Sequence, residues 1–225
     1  MIGLGESNIE VFLSQLKELQ KISTFINVEE AVSLICERKE VNDTLIAFTF
    51  DDGFEECATM IAPALEQFSV NGAFFINPNF VEGDEVYIKN FTEKIVHAPG
   101  KRPMRWNDII KMQKAGHIIG AHTMDHYMIN SDDLTELEHQ IIDCKKIIEC
   151  KLNASCEYFA FPFGRLEHAN PLSIDIAVNH YKHVFSQSDY KNYFSFNEKV
   201  INRRHFEPNW PVSHVKYFIS HPKKY

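Results

Sequence analysis

An apolar run, LIAFTF (residues 45–50), ends in two adjacent carboxylates, Asp51 and Asp52, followed by Gly53. Each acid costs several kcal/mol to desolvate unless a cation or a donor pairs with it. Further along, HTMDH supplies His122 and His126 behind a second strand-like run, HIIGAHT. One carboxylate and two imidazoles with positions left open suit zinc or another divalent first-row ion. Adjacent side chains leave an extended backbone in different directions. One aspartate can therefore ligate while its neighbour takes a proton from a water that the ion has acidified toward a pKa of about 7. A third run, FAFPFG (residues 159–164), offers apolar walls in Phe161 and Pro162, and a Pro-aromatic-Gly turn whose backbone amides can face an oxyanion.

Each of these groups stands behind a strand-like segment, where parallel α/β folds carry their working sites. The segments between them read as helices. Ile9, Phe12, Leu13 and Leu16 share one helical face, and NVEEAVSLICERK starts a second helix with Asn27 as N-cap and Glu30 three residues on. The spacing of Ile61, Leu65 and Phe68 predicts a helix beginning just before Pro63, a residue tolerated in a first turn. GAFFIN (residues 72–77) is the next strand, which gives β, α and β within about thirty residues and hence a parallel pair. WNDIIKMQKAG ends at Gly116. Ser131 is placed to cap a long helix with Leu134, Leu137, Ile141, Cys144 and Ile148 along its seam. EYFAFP, HVFSQS and KVINR read as later strands, and residues 78–105 as an excursion over one face. The alternation predicts an α/β fold, either a barrel or a doubly wound sheet, in one domain spanning residues 1–225.

A net charge of -8 and a longest basic run of only KRPMR exclude a phosphate-neutralising surface, so no nucleic-acid partner is expected. The opening MIGLGESNIEVF lacks the features of a signal peptide and no stretch approaches a membrane span, from which a cytoplasmic location is expected. The five cysteines contain no CxxC and are expected to be buried, reduced thiols.

TFDDG, HTMDH and FAFPFG, in that order and each behind a predicted strand, resemble the first three motifs of the polysaccharide deacetylase family, also known as carbohydrate esterase family 4 or the NodB-homology domain. The likeness continues in ATMIAPALEQFSVNGAFFIN and MRWNDIIKMQKAGHIIGAHT, and covers residues 9–204. It implies a distorted (β/α) barrel with fewer than eight regular β/α units. It also implies a divalent metal ion, commonly Zn2+, held by Asp52, His122 and His126, with Asp51 as general base and the Phe163 backbone amide holding the tetrahedral oxyanion. Members of the family remove N-acetyl, occasionally O-acetyl, groups from amino sugars or their polymers, and relatives hydrolyse other amides.

Two positions depart from the family pattern. Ala160 stands where many members carry an arginine that orients the base, leaving Arg165 and Arg203 as candidate tethers. The late histidine that serves members as general acid has no clear counterpart, and His205 in INRRHFEPNW is the nearest substitute. In the same segment Arg203 is a candidate for an anionic group on the substrate, and Trp210 for stacking on a sugar ring. His97 and His168 fall in predicted loops that can rim a cleft. The expected substrate is an acetylated amino sugar, sugar nucleotide or oligosaccharide, in the assembly of a bacterial surface glycan. A silent glycan- or partner-binding homologue and a hydrolase of a small non-sugar amide are the alternatives.

Overall fold

The computed structural model describes residues 6–187, 189–207 and 210–225. Its first strand, Thr24–Phe25 (β1), pairs in parallel with Leu45–Ile46 (β2), and after Ala47 the chain changes partner: Phe48–Phe50 (β3) joins a different sheet. The continuous strand expected over residues 45–50 is thus two short strands in succession. Gly72–Ile76 (β4), Ile118–Ala121 (β5), Tyr158–Ala160 (β6), His183–Ser186 (β7) and Val200–Asn202 (β9) follow β3 in one parallel array. Phe194–Ser195 (β8), which the sequence pattern did not single out, lies antiparallel to β9 at the edge. The seven-stranded order β3-β4-β5-β6-β7-β9-β8 curls into a distorted, incomplete barrel: no ladder joins β3 to β9 among the described residues.

Period-two alternation sorts the strand residues between two apolar layers. Ala73, Phe75, Tyr158, Ala160, Phe185 and Ile201 fill the inside of the curl, with Tyr158 stacked on Phe185 at 5.7 Å. Phe74, Ile76, Phe159 and Phe161 point to the other side, where helices cover them. Burying each of these phenylalanines contributes about 2–3 kcal/mol. The covering helices include Glu6–Gln20, Trp106–Lys114, Cys144–Leu152 and Pro171–His180, whereas Val28–Cys36 packs Val28 and Val32 against the inner cluster.

Several local expectations are corrected. Asn27 sits at the N-cap of Val28–Cys36, but its side chain makes no bond to that helix; its Oδ1 accepts from the Asn71 N–H at 3.0 Å, while Asn71 Oδ1 accepts from the Val28 N–H at 2.9 Å. Those bonds from the Asn71 segment satisfy the helix start from outside. The helix around Pro63 begins earlier than expected, because a π-helical stretch, Cys57–Ile61, widens the ladder just ahead of a residue that has no N–H to give. Asp133, not Ser131, caps Leu134–Glu138: its side chain accepts from the Glu136 N–H, while Ser131 Oγ accepts from the Asp133 N–H. Of the cysteines, Cys57, Cys144 and Cys156 are buried, whereas Cys36 and Cys150 are exposed; all are free thiols.

Residues 78–105 carry Pro78–Glu82, Glu85–Asn90 and Phe91–Ile95, built on a core of their own in which Phe80 stacks on Phe91 at 4.1 Å. Phe54 joins that core and links it to the end of β3. Val212–Ser220 forms a helix that the sequence reading did not include. Among the described residues no helix is long and apolar enough to cross a membrane.

Candidate active site

The chain turns sharply after β3. Asp52 and Gly53 both take the left-handed conformation, at φ 72° and 75°. A Cβ on Gly53 would stand 3.1 Å from Ile76 Cγ2, so glycine answers both the dihedral and the close approach to β4. The Gly53 carbonyl accepts from the Met104 N–H at 2.9 Å, which pins the turn. Asp52 has a side chain and still adopts a conformation that costs roughly 1–2 kcal/mol. Such strain persists where surrounding structure enforces it, and here it aims a carboxylate.

Asp52 Oδ1 lies 3.4 Å from His122 Nε2 and 3.3 Å from His126 Nε2. All three residues are buried, and their three ligand atoms fall within 4.8 Å of one another. His122 follows β5 directly. Its N–H donates to the Ile76 carbonyl at 2.9 Å, and its Nδ1 stands 2.6 Å from the Ala160 carbonyl. A carbonyl only accepts, so Nδ1 carries a proton in that bond and Nε2 is the ring nitrogen that faces Asp52. His126 reaches the same point by a left-handed backbone at φ 57°, its ring set edge-on against Phe163 at 4.6 Å and Phe91 at 6.2 Å. Asn77 Nδ2 donates to the His122 carbonyl and, at 3.0 Å, to that of Thr123. Asp125 accepts from Asn79 Nδ2 at 2.8 Å, the Tyr87 hydroxyl at 2.5 Å and Gln140 Nε2 at 3.0 Å, which locks the loop between the two histidines.

One carboxylate oxygen and two imidazole nitrogens gathered at one buried point form the kind of N/O donor set that divalent first-row ions take. The donor set therefore fits a divalent metal ion, with the Nδ1–H to carbonyl bond of His122 as the outer support that such ligands use. Burial pushes the Asp52 carboxyl up, but the two imidazoles against it hold it well below the usual carboxylate range.

Asp51 points elsewhere. Arg203, just past β9, grips it with a two-pronged pair: Nη1 donates to Oδ1 at 2.7 Å and Nη2 to Oδ2 at 2.8 Å. Gln187 Nε2 adds a third bond, to Oδ2, at 2.7 Å. Burial works to raise the Asp51 carboxyl, and the Arg203 guanidinium overcomes it and holds the group far below its ordinary value. Of the two candidate tethers, Arg203 is the one in place; Arg165 is exposed, near Glu167. The position occupied in the family by an orienting arginine is Ala160, fully buried inside the curl, where Arg203 lies over the Phe75 ring at 5.0 Å. The charge thus arrives from another strand. Because Arg203 Nη1 also donates to Thr49 Oγ1 at 2.8 Å, it clasps the open seam between β9 and β3.

This corrects the substrate-anion role for Arg203. Its Nε donates to the Ser186 carbonyl at 2.9 Å, so four of the guanidinium's five N–H groups are committed within the protein. Phe161 is corrected too. It lies two residues beyond Phe159 on the outer face of the sheet and is 0% exposed, with no surface to offer a ligand. Pro162 is buried beside it. Phe163 forms the wall instead: it is 40% exposed, takes φ 62°, and its ring lies 5.5 Å from that of His168. Among the described residues no acceptor takes the Phe163 N–H.

His205 and Trp210 are brought together, but not to the acids. The His205 ring meets Trp210 edge-on at 5.8 Å and its Nε2 pairs with Glu207 at 2.9 Å, while Trp210 packs on Phe218 at 5.7 Å. Neither makes a hydrogen bond, ion pair or ring contact with Asp51, Asp52, His122 or His126 among the described residues. The residues that sequence reasoning missed are Thr49, Asn77, Gln187 and the Ala160 carbonyl. Only their places at the ends of predicted strands pointed to them.

A family model described as polysaccharide deacetylase matches residues 38–179. A Bacillus cereus protein, peptidoglycan-N-acetylglucosamine deacetylase, is 32% identical over 110 residues, which are 48% of this chain and 41% of that protein. The match thus spans about two fifths of that relative's length. Among solved structures, the Streptococcus pyogenes deacetylase PplD in complex with acetate aligns with a TM-score of 0.74 at 17% identity, over 94% of this chain and 87% of the other. IcaB from Ammonifex degensii aligns at 0.72 and 19% identity, over 94% and 88%. These structural likenesses bear on the fold alone.

Proposed function

This chain belongs to the polysaccharide deacetylase family, and from that premise we propose that it hydrolyses the N-acetyl group of an amino sugar within a bacterial surface glycan or its precursor. The observation that carries the reading is the divergence of two adjacent acids. Asp52 turns to two imidazoles and Asp51 to a guanidinium fork, so one turn supplies a ligand and a base.

Asp52, His122 and His126 would hold a divalent cation, which we take to be zinc from the donor set; when bound, it supplies a Lewis acid for the amide carbonyl. The chain's own groups do the rest. A carboxylate offers about four lone-pair sites, and Arg203 and Gln187 fill three of those on Asp51. The remaining site, on Oδ1, accepts the proton of the attacking water. We assign the same Oδ1, once protonated, as the proton donor to the leaving amine. The carbon–nitrogen bond breaks, acetate departs and the nitrogen keeps the proton. The Phe163 N–H donates to the oxyanion of the tetrahedral intermediate, and the exposed Phe163 ring offers an apolar face to the sugar.

The test is acetate release in the presence of added zinc, cobalt or nickel, screened over chitooligosaccharides and acetylated sugar nucleotides. Release by the native chain, lost in Asp51→Asn with metal content unchanged, is the expected result. Release at the native rate by Asp51→Asn would overturn the base assignment. A native chain inert on every substrate would overturn the deacetylase reading in favour of a silent binding homologue.

A further inference from the structure

We infer that Gln187 is a positioning residue that selects which oxygen of Asp51 works as proton acceptor and ties that oxygen to the turn carrying the Phe163 amide. The inference rests on the reading of Asp51 as base. Gln187 lies just beyond β7 and donates in two directions. Its side-chain Nε2 reaches Asp51 Oδ2 at 2.7 Å, and its backbone N–H reaches the Gly164 carbonyl at 2.8 Å. A carboxylate only accepts, so the amide's NH2 end must face Asp51.

The selection follows from counting lone pairs. The Arg203 fork by itself is symmetric: one bond to each oxygen, one lone pair left on each. Gln187 breaks that symmetry. With two donors on Oδ2 and one on Oδ1, only Oδ1 keeps a place for a proton. A base that can accept at either oxygen spends part of its time presenting the wrong one, and misplacement of about 1 Å can cost a hundredfold in rate.

The second bond fixes where Oδ1 stands relative to the oxyanion donor. Gly164 follows Phe163 and takes φ 65°; a Cβ built on it would fall 2.1 Å from Gln187 Cβ and 3.0 Å from its backbone N. The close approach of the two segments is therefore written into the sequence by that glycine. One residue thus spans the base and the turn opposite, through bonds that the family resemblance did not suggest.

The experiment uses Gln187→Met, which keeps the length of the side chain and removes its donors. Expected is a fall in kcat for acetate release of about ten- to a hundredfold, with KM within about twofold and metal content unchanged. Gly164→Ala, which pushes Gln187 away, gives the same kcat-selective loss. An unchanged kcat in Gln187→Met, or a loss of kcat that only follows a loss of bound metal, overturns the inference. If the native chain releases no acetate, the deacetylase reading fails and Gln187 is judged by unfolding alone. The urea midpoint lost through Gln187→Met in the native background should then vanish in an Asp51→Ala background; equal loss in both would refute the bond.

Discussion

Replacing Arg203 by methionine removes the charge and keeps most of the apolar stem over Phe75. In the native fold the pair is nearly sealed, with side-chain exposures of 10% for Arg203 and 5% for Asp51. Deleting one partner of a buried pair leaves the other charge uncompensated, a loss of about 3–5 kcal/mol. Part of that is recovered when Asp51 takes up a proton, since burial without the guanidinium pushes its carboxyl upward. We therefore expect the lower end, about 3 kcal/mol, which lowers the melting temperature by roughly 6–12 °C in a chain of this size. The same protonation removes the base, so kcat should fall by at least about a hundredfold at neutral pH. Differential scanning calorimetry and acetate-release kinetics on one preparation read both. Adding Ala160→Arg to Arg203→Met, which returns the charge to the family's position, should restore part of the activity. An Arg203→Met protein with native melting temperature and native kcat would refute the clasp.

Other predictions concern the frame and its charges. Gly53→Ala forces an unfavourable φ of 75° on alanine and sets its Cβ 3.1 Å from Ile76 Cγ2; it should cost about 2 kcal/mol in urea titration and lower kcat by moving Asp52. Burial and the neighbouring Arg204 push the Lys223 amine down to about 7. Between there and its ordinary value of about 10.4 the folded chain binds fewer protons than the unfolded one, so this group's contribution to stability rises with pH across that window. The stability of Lys223→Met relative to the native chain, followed by thermal melts, should therefore decline from about pH 7 to about pH 10; a flat difference would contradict the burial of that charge.

What could be read from the sequence is what local chemistry dictates. Strand-like runs ending in Asp51, Asp52, His122 and the Phe163 turn mark the strand ends where side chains gather; residue types alone give two imidazoles and one of two carboxylates, and the family resemblance singles out Asp52 of the pair. The correction to Phe161 was also within reach, because two residues separate it from Phe159 and period two puts both on one face. Other features depend on distance. Nothing near Asp51 announces that its partners stand 152 and 136 residues away at the ends of other strands. Asp133, not Ser131, is the cap because the helix starts at Leu134, three residues beyond Ser131, whose Oγ is taken up by the Asp133 N–H. His205 went astray because the chain beyond β9 turns toward Trp210 and Phe218, a choice made by tertiary packing.

The claim that carries the rest is that side chains from two strand ends converge on one cation. Elemental analysis of the native chain, Asp52→Ala and His126→Ala after dialysis against zinc tests it most directly. The account predicts one ion per native chain and almost none in either variant, with circular dichroism unchanged. Full occupancy in both variants, or none in the native chain, would contradict it.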